Sequence, residues 1–484
     1  MKKAIKRFWG IGLIVIILSS FFMAVPAAPA SGGIYAWAAD TTQPSVANGL
    51  LSPIKANTFG YTDITSTADG ANIYMTACDT ASTNYLYKST NGGVSWTKPA
   101  GGTAASPFTA ALPNTSGLNQ WTYVAVAPDD PNTIAVVSYA VTTGVGNTIY
   151  LSTNGGATFS SLGTPGATLT VNDLAVSSIS GPYRYIAVAA TDNSTTGYLY
   201  SWTVGAAAPA WSNKASTLGG VTVGAVAFSP AFASDATLLF VSADATDVKL
   251  HAYSYNTLVY DANVDSSFPR VIYHGTPTLN RASITLDPTF YMGDSAAQIG
   301  FIGTSITDGT EHGGVSRIST YTVASGVYSL TKIMADTGIG YVAWDGTNLV
   351  AAPYIPINIA ADAGITIYRS ADALSSTSPT FTPSSSSKAP GSGYEAKLLW
   401  NAGSLLAISR GYNAAVAKSA DLGKSFNGIA LCNTSWTVIS GAWISTDNSV
   451  MYIAVNDGID TLIWRYKASA WQRVMIMAAD ASGS

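Results

Sequence analysis

Residues 86–97 read LYKSTNGGVSWT, and residues 149–160 read IYLSTNGGATFS. Each follows the pattern Ser-x-Asn-x-Gly-x-(Ser/Thr)-aromatic, carried by Ser89, Asn91, Gly93 and Trp96 in the first copy and by Ser152, Asn154, Gly156 and Phe159 in the second. A third copy, KSADLGKSF, uses Ser419, Asp421, Gly423 and Phe426. A fourth, RSADALSSTSPTF, keeps Ser370, Asp372 and Phe381 around an insertion. The chemistry is that of a turn. An Asn or Asp side chain accepts backbone amides two residues on, closing an Asx-turn, and the serine hydroxyl serves another amide. Glycine supplies the positive φ. The closing aromatic starts the next strand and packs inward.

Working outward, each box follows a short alternating run, YLYKS, TIYLS, TIYRS or AVAKS. Period-two alternation is the mark of a half-buried strand. Upstream of each lies a further strand pair, clearest in WTYVAVAPDDPNTIAVVS at 121–138, where Pro131 and Asn132 supply turn residues. Related strand pairs begin near residues 62, 171, 223, 282, 341, 396 and 436, so eight units are counted. Four-stranded propeller blades recur at about 40–50 residues, and such sheets repeated radially protect their own edges. The expected fold is all-β, a β-propeller of seven or eight four-stranded blades, with residues 39–484 as one domain.

Only 10% of the 484 residues are charged, against a usual ~25%, while 47% are hydrophobic and 11% aromatic. This excludes a disordered chain. The net charge is −4 with no basic stripe, which excludes nucleic acid as a partner. Lys2 to Arg7, an apolar stretch Phe8–Val25 and small residues to Ala38 form an export leader, residues 1–38. The body is expected at the cell surface, in the envelope or outside the cell, with membrane contact only through that leader. Export permits a disulfide between Cys78 and Cys432; two buried thiols are the other reading.

The repeated box resembles the Asp-box, or bacterial neuraminidase, repeat. That group includes sialidases, xyloglucan-degrading glycosidases, sortilin-type receptors and photosystem II assembly factors. The resemblance implies a propeller with the box at the turn between the third and fourth strands of a blade, away from the central mouth. It implies little about activity. Sialidases of the group carry an Arg-Ile-Pro motif, an arginine triad and a Tyr–Glu pair. No Arg-Ile-Pro occurs here, and Tyr394-Glu395 are adjacent on a strand, so they point to opposite faces.

Glycoside hydrolysis needs two carboxylates; Asp336 and Asp345 flank a strand entering the ring, whereas Asp129, Asp130, Asp287 and Asp447 fall at turns. Asp308, Glu311 and His312 lie together in a glycine-rich stretch that could ligate a cation. His251 and His274 stand apart in sequence, and no G-x-S-x-G elbow accompanies them. No residue is assigned as catalytic, cofactor-binding or metal-ligating. The expected function is a non-catalytic binding or structural surface protein, partnered by envelope proteins or surface glycans. The alternatives are a sialidase- or xyloglucanase-like glycoside hydrolase and an assembly factor. Two or more carboxylates with arginines at the ring mouth would favour the hydrolase.

Overall fold

The computed structural model describes residues 60–478, apart from 79–83, 94–95, 97–122, 139–146, 167–168, 193–196, 215–221, 325, 355–363, 392–394, 402, 411–414, 432–437, 448, 457–459 and 469. The chain divides into two units, Met1–Gln43 and Pro44–Ser484, and every described residue belongs to the second. The leader, Cys432 and Tyr394 lie outside the described residues. Cys78 ends a strand, but its side chain is outside them too.

The molecule is a β-propeller built of antiparallel meanders. Sheet one has three described strands (60–89) and sheet two has four (124–163). Sheets three (170–213), four (222–274), five (278–335), six (339–383), seven (395–431) and eight (438–478) follow in chain order. The first strands are Gly60–Ser66, Val124–Ala127, Thr170–Val176, Thr222–Phe228, Thr278–Leu286, Ile339–Trp344 and Glu395–Asn401 for sheets one to seven. Each of these lies against the next, and the last returns to the first. Together they enclose a central channel.

Alternation along the strands dictates how neighbouring sheets meet. Apolar residues from facing sheets form a separate cluster at each junction. Ile64, Ile73, Met75 and Trp96 of sheet one meet Leu406, Ile408 and Val416 of sheet seven, closing the ring. Tyr74 and Leu86 of sheet one meet Val124, Val126 and Ile134 of sheet two. Each fully buried large side chain contributes about 1.5–3 kcal/mol. The box aromatics are among these anchors: Trp96 and Phe426 are buried, Phe159 packs at the junction of sheets one and two, and Phe381 packs at that of sheets five and six.

Sheet eight, counted with the other units in the sequence, stands outside this cycle. Its last strand, Ala470–Ala478, pairs with the last strand of sheet seven, Gly428 opposite Arg473, and makes one eight-stranded sheet. Its first strand, Val438–Ile444, is the edge among the described residues, with Trp443 57% exposed. The outer strands of sheets four and five also pair, in parallel, at Arg270 and Val271.

The turns divide their labour differently from the sequence expectation. The serine hydroxyl is the hub. Ser89 Oγ donates to Asn91 Oδ1 at 2.9 Å and accepts from Gly93 N at 2.9 Å. Ser152 does the same with Asn154 and Gly156, and Ser419 with Asp421 and Gly423. The Asn or Asp oxygen reaches four residues on, from Thr158 N to Asn154 and from Ser425 N to Asp421, both at 2.9 Å. Asp372 spans the insertion to accept Thr380 N at 3.1 Å. Gly93, Gly156 and Gly423 have φ of 81°, 88° and 87°. The second, third and fourth copies join the third and fourth strands of their sheets.

Candidate functional site

A backbone irregularity recurs in the first strands. A β-bulge falls between Tyr61 and Asp63, Val171 and Asp173, Val223 and Ala225, Leu279 and Arg281, and Ile339 and Tyr341. A bulge re-aims the side chain beside it. Four of the five residues just after it, Asp63, Asp173, Arg281 and Tyr341, gather with Tyr123 beside sheet two and with Glu395 and Lys397 of sheet seven, the fifth being Ala225.

The contacts cross the ring. Lys397 Nζ lies 2.6 Å from Asp63 Oδ1 and sits over the rings of Tyr123 and Tyr341 at 4.7 and 4.9 Å. Arg281 donates from Nε to Glu395 Oε1 at 3.0 Å and from Nη1 to the Tyr123 hydroxyl at 3.2 Å. Asp63 Oδ2 accepts Val124 N of the next sheet at 2.9 Å. Asp173 does likewise with Val226 N at 3.0 Å, and its Oδ1 accepts Leu174 N. Ser283 Oγ accepts Val342 N at 3.1 Å. These side chains stitch adjacent sheets together, and they also line a cavity of about 330 Å³ in which Asp63, Tyr123, Asn172, Asp173, Ser283, Tyr341 and Lys397 converge. Ligand pockets start near this size, ~300 Å³.

The two carboxylates differ in environment. Burial in the channel pushes the Asp173 carboxyl up to about 6, against the lowering pull of the Val226 amide and of Lys397, with Asp63 adding to the rise. Asp63 carries the ion pair with Lys397. Burial also drives the Tyr123 and Tyr341 hydroxyls far above the usual phenol range, with Arg281 opposing, so both stay neutral at working pH. Two carboxyl groups facing one cavity in different surroundings are the usual arrangement of an acid and its partner.

The carboxylates picked from sequence lie elsewhere. Asp345 closes a turn by accepting Thr347 N and Asn348 N, and Asp336 is an exposed turn residue with φ 53°. Asp130, Asp287 and Asp447 likewise accept turn amides, and Asp129 pairs with Arg184. Asp308 accepts from Thr276 and Tyr273, while Glu311 accepts Ile306 N, Gly313 N and Ser305 Oγ. That stretch is therefore satisfied internally, and among the described residues no group of His, Cys, Asp and Glu could hold a metal ion. Glu395 is the partner of Arg281.

His251 is not isolated. Ser242 Oγ lies 2.9 Å from its Nε2 and Asp261 Oδ2 lies 2.8 Å from its Nδ1, the connectivity of a Ser-His-Asp triad. Ser242 is only 2% exposed and His251 4%, and the imidazole stacks on Phe240 at 4.8 Å. A nucleophile needs a place for substrate beside it. Sealed inside sheet four, this trio fixes the two middle strands and the turn at Asp261.

No protein-family model and no curated protein matches the chain. Solved structures do. A GH74 xyloglucanase from Xanthomonas campestris superposes with a TM-score of 0.51 at 13% identity, over 84% of this chain and 59% of that one. The chain thus spans less than two thirds of that enzyme's length. A GH74 enzyme from Niastella koreensis matches at TM-score 0.34 and 16% identity, over 85% and 69% of the two chains. A polysaccharide lyase of family PL25, an ulvan lyase, matches at TM-score 0.46 and 8% identity, over 79% and 96%. The likeness is one of fold. It corrects the expectation of a non-catalytic structural protein only so far as the fold goes, since the structure that superposes at 0.51 is a glycoside hydrolase. The first strands gather Asp63, Asp173 and Glu395 with Arg281 and Lys397.

Proposed function

We propose that the chain is an exported glycoside hydrolase of the xyloglucanase-like type, acting on a polysaccharide in the central channel. The observation that carries this reading is the pairing of Asp173, protonated up to about pH 6, with Asp63, ion-paired to Lys397, in one cavity. In this reading Asp173 donates its proton to the leaving glycosidic oxygen. The Asp63 carboxylate takes a proton from the water that attacks the anomeric carbon as the glycosidic bond breaks. Tyr123 and Tyr341 offer ring faces to the sugar. The four repeated turns are read as Asp-box turns, structural and remote from the chemistry. Export rests on the 1–38 leader, and surface or extracellular glycans are the partners inferred.

The test is release of reducing ends from a panel of soluble polysaccharides, xyloglucan included, by the purified chain and by Asp173→Asn. The reading expects release by the wild type and its loss in the variant. No release from any member of the panel, or equal release by the variant, overturns it.

A further inference from the structure

We propose that sheet eight, outside the ring, is a second glycan-binding surface that holds the polymer while the channel acts on it. The inference rests on the glycan reading above and adds a site to it.

Sheet eight repeats the construction of the ring's sheets, including a bulge in its first strand between Ile439 and Gly441. After the bulge stands glycine, so no side chain is aimed there. What the sheet presents instead is a row. Trp443 is paired with Tyr452, Tyr452 with Arg465, and Arg465 with Gln472. Directly opposed residues share one face of a sheet, so the four side chains form a line across four strands. Trp443 and Tyr452 have ring centroids 5.9 Å apart, and Trp443 is 57% exposed. Arg465 Nη2 donates to Gln472 Oε1 at 2.8 Å, which holds both heads in place.

The line ends in a cavity of about 240 Å³ at the seam with sheet seven, lined by Lys418, Asp421, Ser425, Asn427, Ile429 and Gln472. Three strand spacings of ~4.8 Å separate Trp443 from Gln472, and a fourth reaches Ile429 on the last strand of sheet seven, about 19 Å away, the reach of a short oligosaccharide. Aromatic faces offer C–H stacking at one end. At the other, an ammonium, a carboxylate, a hydroxyl and two amides offer donors and acceptors at close spacing. A sugar chain matches both, since each ring has an apolar face and an equatorial rim of hydroxyls.

The experiment is affinity electrophoresis of the full chain through gels containing soluble xyloglucan or polygalacturonate, in the Asp173→Asn background so that the polymer stays intact. Trp443→Ala, Tyr452→Ala and Gln472→Ala are compared, with melting temperature and size-exclusion mass measured alongside. Retardation by either polymer, weakened tenfold or more by Trp443→Ala and Tyr452→Ala at unchanged melting temperature, supports the site. Retardation that these variants leave unchanged overturns it, as does a change of oligomeric mass in Trp443→Ala in place of lost retardation. Sugar release by the wild type is read separately, so the channel reading and this one fail independently.

Discussion

Replacing Lys397 by Met removes the cation that joins sheet seven to sheet one inside the channel. Lys397 and Asp63 side chains are each 10% exposed and 2.6 Å apart. Deleting one member of a buried pair leaves the other charged and enclosed, which costs about 3–5 kcal/mol. Asp63 retains its bonds from Ile64 N and Val124 N, which favours the lower end. Unfolding entropy of ~2.1 cal/mol/K per residue over roughly 420 residues gives ~0.9 kcal/mol/K, so the expected fall in melting temperature is about 3–6 °C. The second variant is Lys397→Met with Asp63→Asn, which removes the orphaned charge and should recover at least half of the loss. Differential scanning calorimetry at neutral pH reads both. A fall below about 1 °C for Lys397→Met, or a double variant less stable than the single one, refutes the reasoning that this pair closes the ring.

Other outcomes follow from the same contacts. Ser242→Ala, which strips His251 of one partner, should cost about 1–3 kcal/mol and leave sugar release per folded molecule unchanged; a catalytic triad would lose about 10³-fold or more. Trp96→Ala, at the junction of sheets seven and one, should destabilise by about 3–5 kcal/mol in chemical denaturation. The Asp173 carboxyl is raised to about 6 when folded, against an unfolded ~3.9. Its contribution to stability is therefore full below the unfolded value and lost as pH rises through about 6. Melting temperature followed against pH should fall over that window in the wild type, and Asp173→Asn should lack that component.

The repeat and the strand alternation were legible because turn chemistry and burial are local. Ser89, Asn91 and Gly93 sit within one short phrase, and the phrase recurs. The channel was not legible that way. Arg281 and Glu395 are 114 residues apart, and Asp63 and Lys397 are 334 apart, so only ring closure brings them together. One signal was present: a charged residue inside otherwise apolar first strands, in YTDIT, VNDLAV, LNRASI and EAKLL. Aligning the units on their first strands, instead of on the boxes, places Asp63, Asp173 and Arg281 at the same point after the bulge. The same alignment includes sheet eight, and this is why the count of units runs one past the cycle of first strands. Its position outside was hidden because strand pattern records a sheet's construction and not its neighbours. His251 was hidden for a related reason: Ser242 and Asp261 reach it through a hairpin and a turn, with no shared motif.

The most direct test of the account is the pH profile of polysaccharide turnover. With Asp173 as the acid, wild-type kcat/KM on the polymer that is cleaved should decline as pH rises through about 6, and Asp173→Asn should abolish turnover while leaving the folded ring intact by circular dichroism. Turnover that persists in Asp173→Asn with an unaltered pH profile contradicts the placement of the chemistry in the channel.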